Sequence, residues 1–189
     1  AIAVTVLGWW HPVLFDDGRT GPAWALAVPV LFALAGLLGL TQIDWRSANR
    51  SVLPVLALGT LLVGFAEEVL TRGVLVVGGR EQGWTAVTVF LVSTALFALL
   101  HGLNAFFGLP WQGTLAQIGI AFVGGTAFYV TRLSTGTLIV GILIHALWDF
   151  VTIGAMATGR TAKPAVLACA GLAYVLGLVA IVVILVTGS

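Results

Sequence analysis

FAEEVLTRGVL, residues 65–75, places two adjacent glutamates and an arginine inside an apolar run. Charged residues make up 8% of the chain and hydrophobic ones 60%, with a mean hydropathy of +1.12, so every charge away from a loop is conspicuous. The stretch continues into apolar sequence on both sides, and similar runs recur along the 189 residues. Each is close to the ~20 residues that a helix needs to cross the hydrocarbon core of a bilayer. The expected fold is therefore all-α, a polytopic transmembrane bundle of about six to seven membrane helices, with residues 1–189 forming a single transmembrane domain.

Polar punctuation divides the chain. A partial apolar segment precedes the turn DDGRTG at 16–21, and a candidate span follows over 22–43, closed by DWRSANR at 44–50. Further spans are expected over 51–77, 84–107, 114–131, 137–157 and 165–186. Trp9, Trp10, Trp24, Trp45, Trp84 and Trp111 fall near the expected ends, where amphipathic rings favour the headgroup level, whereas Trp148 sits mid-span and must pack between helices or border a site. Gly59 with Gly64, Gly119 with Gly124 and Ala173 with Gly177 are spaced for close helix approach. The chain opens at Ala1 rather than Met and inside an apolar stretch, so its native start is expected upstream.

The formal net charge of +1 comes from scattered residues, not from a basic tail, and argues against a nucleic-acid partner. Assigning loops to alternate sides puts Arg46, Arg50, Arg160 and Lys163 on one side and Arg19, Arg80 and Arg132 on the other, a balance that sets no orientation. The one cysteine, Cys169, lies in an apolar run and forms no intrachain disulfide.

Glu67, Glu68, Arg72, His101, His145 and Asp149 remain within the expected spans, and ionisable groups there point to function when they face the bundle. Glu68 and Arg72 are four apart with the acid N-terminal, the better order for a helical ion pair, and read as a structural pair. Glu67 points about 100° away and needs partners on other helices, for which His101 and His145 are the candidates. His145 and Asp149 are again four apart, so the carboxylate can orient the imidazole, while Phe97 gives His101 an apolar wall. Glu67 and His145 lie at matching depth, roughly 15 Å from one face at helical rise; His101 matches only if residues 84–87 lie along the interface. A carboxylate and two imidazoles converging in a cavity can activate water for hydrolysis. The same trio, Glu67, His101 and His145, would also make a catalytic zinc set, and the residues themselves fit both versions.

EEVLTR at 67–72, FALLH at 97–101 and HALWD at 145–149 lie on three separate expected spans, in that order. Together they resemble the three motifs of the CPBP family of intramembrane proteases, also called the ABI family, which includes CAAX proteases and bacteriocin-processing enzymes. The resemblance covers residues 51–157 and leaves the first and last spans outside. It implies proteolysis within or beside the membrane, with Glu67 activating water, His101 assisting, His145 and Asp149 at the oxyanion, and Glu68, Arg72 and Phe97 in support. Eukaryotic CAAX enzymes carry Asn where this chain has Asp149, and bacterial members often carry Asp; an ionised Asp cannot donate to an oxyanion. The family bears a metalloprotease label as well as a metal-free, glutamate-dependent scheme. The expectation here is that no cofactor is required, with Zn2+ as the metal version.

The implied partners are a peptide or membrane-protein substrate and the lipid bilayer. Two rival readings use the same residues: a scaffold, immunity protein or regulator of a partner membrane protein, and a small transporter. The transporter reading lacks repeated halves. Arginine outnumbers lysine, the composition of a GC-rich bacterial genome, which points to a multi-pass protein of the bacterial cytoplasmic membrane and away from a prenylated substrate. His11 is read as interfacial without a role, and Asn104, one turn beyond His101, as a cap or an inter-helix hydrogen bond.

Overall fold

The computed structural model describes residues 2–16 and 19–188. Two short helices, α1 (Ile2–Val6) and α2 (Trp10–Leu14), form the N-terminal fragment that precedes the first span. Residues 17 and 18 of the expected DDGRTG turn lie outside the described residues. Among the described residues six helical segments are long and apolar enough to cross a membrane. The first is α3 (Ala27–Gly39), flanked by tight turns at Ala23–Leu26 and Leu40–Gln42. The second is α4 (Leu53–Glu68), which passes through a π turn at Val69–Val74 into α5 (Leu75–Glu81). Then come α6 (Ala86–Leu100), prolonged by a 3-10 turn over His101–Phe107, α7 (Trp111–Thr135), α8 (Leu138–Ala157) and α9 (Pro164–Thr187). Among the described residues no strand forms, so the expected all-α bundle is what the chain adopts.

Local chemistry sets the boundaries. Pro54 and Pro164 stand in the first turns of α4 and α9, where the missing N–H has no helical partner to lose. The Thr85 and Thr137 hydroxyls accept from Thr88 and Ile139 N–H groups and cap α6 and α8. Gly136, at φ 72°, closes α7 in the left-handed conformation and lets α8 begin two residues later.

Small residues bring the helices together. A Cβ on Gly64 would come within 3.1 Å of the Ala146 nitrogen and 3.2 Å of the Ile142 carbonyl, so α4 and α8 meet backbone to backbone one turn before Glu67. Gly177 and the buried Ala173 bring α9 against α7 at Ala127. Gly124 lies beneath the Tyr174 hydroxyl, whereas Gly59 and Gly119 face open space, so half of each expected glycine pair makes the contact. Trp148 packs edge-on to Phe32 of α3 at 5.3 Å between ring centroids, and Phe32 also meets Phe128 and Tyr174, an aromatic hub joining α3, α7, α8 and α9. Outward-facing Val30, Leu37, Leu58, Val179 and Val182 are exposed, as a lipid-facing belt requires.

Arg132 corrects the reading of a loop charge. α7 runs on to Thr135, so Arg132 belongs to the helix and is 1% exposed. Its guanidinium donates to the carbonyls of Pro12, Val13 and Arg72 at 2.7–2.9 Å and grips both oxygens of Asp16 at 2.9 and 3.1 Å. Arg80 reaches the same carboxylate at 2.8 Å. Burial would raise the Asp16 carboxyl, but the hydrogen bonds and charges of Arg132 and Arg80 hold it below the usual carboxylate value. Arg132 thus ties α2 to the π turn, where Gly73 also makes room for Val13. The π turn carries the second half of the EEVLTR stretch, so this N-terminal fragment buttresses the chain segment from which Glu67 and Glu68 project.

Candidate active site

Glu68 and Arg72 are fully buried and joined at 3.0 Å, the structural pair that their spacing predicts. Arg72 Nη1 also donates to Thr71 Oγ1 at 2.9 Å, and Nη2 to the Gly125 carbonyl at 2.9 Å. Gly125 is required there, because a Cβ would lie 2.7 Å from Nη2. The guanidinium lies over the Phe97 ring at 3.8 Å, so Phe97 supports the cation as well as walling His101.

Glu68 has a second partner that helical spacing does not reveal. His145 Nδ1 approaches Glu68 Oε1 at 3.3 Å, so one carboxylate oxygen holds both Arg72 and the imidazole. The His145 ring is sandwiched: it stacks on Phe128 at 4.9 Å and meets the edge of Phe97 at 5.6 Å. Its free nitrogen, Nε2, lies 3.9 Å from Glu67 Oε2 and 3.5 Å from Asp149 Oδ2. Three carboxylates from two helices therefore surround one imidazole. Glu67 Oε2 is buried without a hydrogen-bond partner, as expected of a carboxylate with no neighbour on its own helix.

His101 stands at the point where α6 tightens into the 3-10 turn. Its Nδ1 is 3.0 Å from the Phe97 carbonyl, which only accepts, so the network assigns the proton to Nδ1 and leaves Nε2 as an acceptor. Helix α6 starts at Ala86, after Trp84, which brings His101 closer to the depth of Glu67 than a start at residue 84 would. Glu67, His101, His145 and Asp149 all line one cavity of about 820 Å3, enclosed mainly by α4, α6, α7 and α8. His101 shares the cavity without touching Glu67; Phe97 stands between the two imidazoles. Among the described residues no group of three His, Cys, Asp or Glu side chains has the arrangement of a metal-holding cluster.

The remaining walls are apolar, including Val55, Leu56, Val63, Ile120 and Ile153. Val55, Val63 and Ile153 are exposed, so the cavity is open and not sealed within the bundle. Asn104 lines it too, donating to Gln117 Oε1 across to α7 at 2.9 Å, the inter-helix bond expected of it.

The family model described as type II CAAX prenyl endopeptidase, Rce1-like, matches residues 49–151, more than half of the chain and all three motifs. The chain belongs to this family. It is a peptide hydrolase of the intramembrane endopeptidase class. No curated protein and no solved structure matches it. The family segment contains α4 to α7 and most of α8, yet the cavity also draws on two helices wholly outside it, with Phe32 from α3 and Tyr174 from α9. Reading the motifs alone misses both. The signal for Tyr174 is a hydroxyl in mid-span, in a helix with no other until Thr187.

Proposed function

We propose that this Rce1-like protein cleaves a peptide or a membrane-protein segment by activating water on Glu67, without a resident metal, in a bacterial cytoplasmic membrane. The observation that carries the reading is the Glu67 carboxylate, with an unpaired oxygen, on the wall of a cavity large enough for a peptide segment and within 4 Å of the His145 ring. Burial among apolar walls strengthens every charge interaction made there.

In the proposed reaction Glu67 takes a proton from water as the water oxygen adds to the scissile carbonyl carbon, and the carbonyl π electrons move onto oxygen. His101 Nε2, left free by the Nδ1 bond to Phe97, accepts a hydrogen bond from the other O–H of the water, which keeps that proton, and fixes the direction of attack. The oxyanion forms beside His145; in its doubly protonated form the ring satisfies Glu68 through Nδ1 and presents Nε2–H to the new charge. Collapse breaks the C–N bond, and Glu67 returns its proton to the leaving amine. Glu68 and Arg72 hold His145 in place, and Asp149 keeps Nε2 turned toward the cavity. Apolar walls favour apolar substrate side chains.

A comparison of cellular peptides and membrane-protein termini between wild type and Glu67→Gln tests the reading. A precursor that accumulates only in the variant is the expected result. Cleavage products unchanged in the variant, with partner regulation lost, would replace proteolysis by a scaffold role.

A further inference from the structure

We propose that Tyr174, in the middle of α9, is a further catalytic residue, whose phenolic O–H donates to the oxyanion beside Asp149. The proposal rests on the water-activation reading above. Tyr174 lines the same cavity as Glu67, His145 and Asp149, although its helix lies outside the family segment. Its ring is held edge-on to Phe32 at 5.5 Å and 89°, and Gly124 leaves room for the hydroxyl, which a Cβ there would meet at 3.4 Å. Among the described residues the hydroxyl has no hydrogen-bond partner and is not sealed from the cavity. Phe32 meets both the Tyr174 ring and Trp148, the residue before Asp149, which sets Tyr174 against the turn of α8 that carries Asp149.

The need for such a donor follows from the other polar groups on the cavity wall. Thr60 donates to the Ala57 carbonyl, Thr152 to the Trp148 and Asp149 carbonyls, Asn104 to Gln117, and His101 Nδ1 to Phe97. His145 Nε2 lies between the carboxylates of Glu67 and Asp149, and both compete with an oxyanion for its proton. An ionised Asp149 accepts hydrogen bonds and donates none. The Gln117 amide and the Trp148 indole are the other free donors; Gln117 lies two turns along α7 from Gly124, where the Tyr174 hydroxyl sits, and the indole precedes Asp149 by one position and so is turned about 100° from it on α8. A phenol is neutral near neutral pH and donates without giving up its proton. As the water adds and the carbonyl oxygen gains charge, the hydrogen bond from the Tyr174 O–H to that oxygen shortens; on collapse it relaxes, and Tyr174 ends the cycle unchanged.

The test uses the purified full chain in liposomes with two internally quenched peptides, one ending in a farnesylated CAAX sequence and one apolar and unprenylated. The variants are Tyr174→Phe, Asp149→Asn, the double variant, and Glu67→Gln. Tyr174→Phe should lower kcat about 30-fold and leave KM within about twofold, the pattern of an interaction made in the transition state. In the Asp149→Asn background the loss should shrink to about threefold, because the amide supplies a donor of its own. A wild-type kcat in Tyr174→Phe, or a raised KM alone, would reduce Tyr174 to a wall of the cavity. Equal losses in both backgrounds would mean that positions 149 and 174 do not serve the same oxygen. If Glu67→Gln cleaves at the wild-type rate, water activation itself fails; if it is inactive while Tyr174→Phe is fully active, only the role of Tyr174 fails.

Discussion

Replacing Arg72 with methionine keeps much of the side-chain volume and removes the charge. The guanidinium it removes makes a 3.0 Å bond to Glu68, a 2.9 Å bond to the Gly125 carbonyl, and a contact 3.8 Å above Phe97. A charge-assisted hydrogen bond contributes about 1.5–3 kcal/mol and a desolvated cation–π contact about 2 kcal/mol. The variant also leaves the Glu68 carboxylate, at 0% exposure, with His145 as its remaining partner. Breaking a buried pair in this way costs about 3–5 kcal/mol, or a fall in Tm on the order of 10 °C for a chain of this size. Glu68→Gln should cost somewhat less, because Arg72 retains two neutral acceptors, Thr71 and the Gly125 carbonyl. The double variant should be less damaged than the two losses added together, by about 2 kcal/mol, since it leaves neither charge stranded. Thermal unfolding of the detergent-solubilised protein, followed by tryptophan fluorescence, measures all three. Additivity within about 0.5 kcal/mol would refute the reasoning that the two charges stabilise one another.

Asp149→Asn should retain cleavage within about tenfold of wild type and Asp149→Ala should lose about 100-fold, because the position needs a hydrogen-bonding side chain 3.5 Å from His145 Nε2; an Asn variant as inactive as the Ala variant would make Asp149 a proton carrier. Metal analysis of active protein should find far less than one zinc per chain and no loss to chelators, and stoichiometric zinc whose removal abolishes activity and whose return restores it would place a metal in the site. The Asp16 carboxyl, held below its ordinary value of 3.8, stabilises the fold fully above that value and progressively less as pH falls below it. Asp16→Asn should therefore lower stability near neutral pH and flatten the acid limb, and an acid limb identical to wild type would show that the Arg132 and Arg80 contacts do not act on that carboxyl.

The six spans were legible because apolar length and polar punctuation are local properties, and the pairs Glu68 with Arg72 and His145 with Asp149 because helical spacing puts them on one face. What joins different helices was not. Glu68 accepts from His145 across 77 positions, and only the close approach of α4 to α8 at Gly64 brings them together. Arg132 looked like a loop charge because a guanidinium beside a Ser-Thr-Gly turn has that appearance; its burial depends on the carbonyls of Pro12, Val13 and Arg72 and on Asp16, far away in sequence. The π turn at Val69–Val74 carries no local composition signal, yet it frees the Arg72 carbonyl for Arg132. His101, which looked too deep, is brought toward the site by the later start of α6 and sits where that helix tightens at its end. Tyr174 and Phe32 lie in spans without a motif and reach the cavity only through the packing of α3 and α9.

The central claim is that the Glu67 carboxylate activates the attacking water, and the most direct measurement is the turnover of a quenched peptide by purified Glu67→Gln beside wild type. The amide keeps the shape of the side chain and cannot take up a proton. The account predicts a loss of at least about 1,000-fold in kcat with an unchanged Tm, since Glu67 Oε2 makes no hydrogen bond that the fold would miss. Cleavage at the wild-type rate in that variant would contradict it.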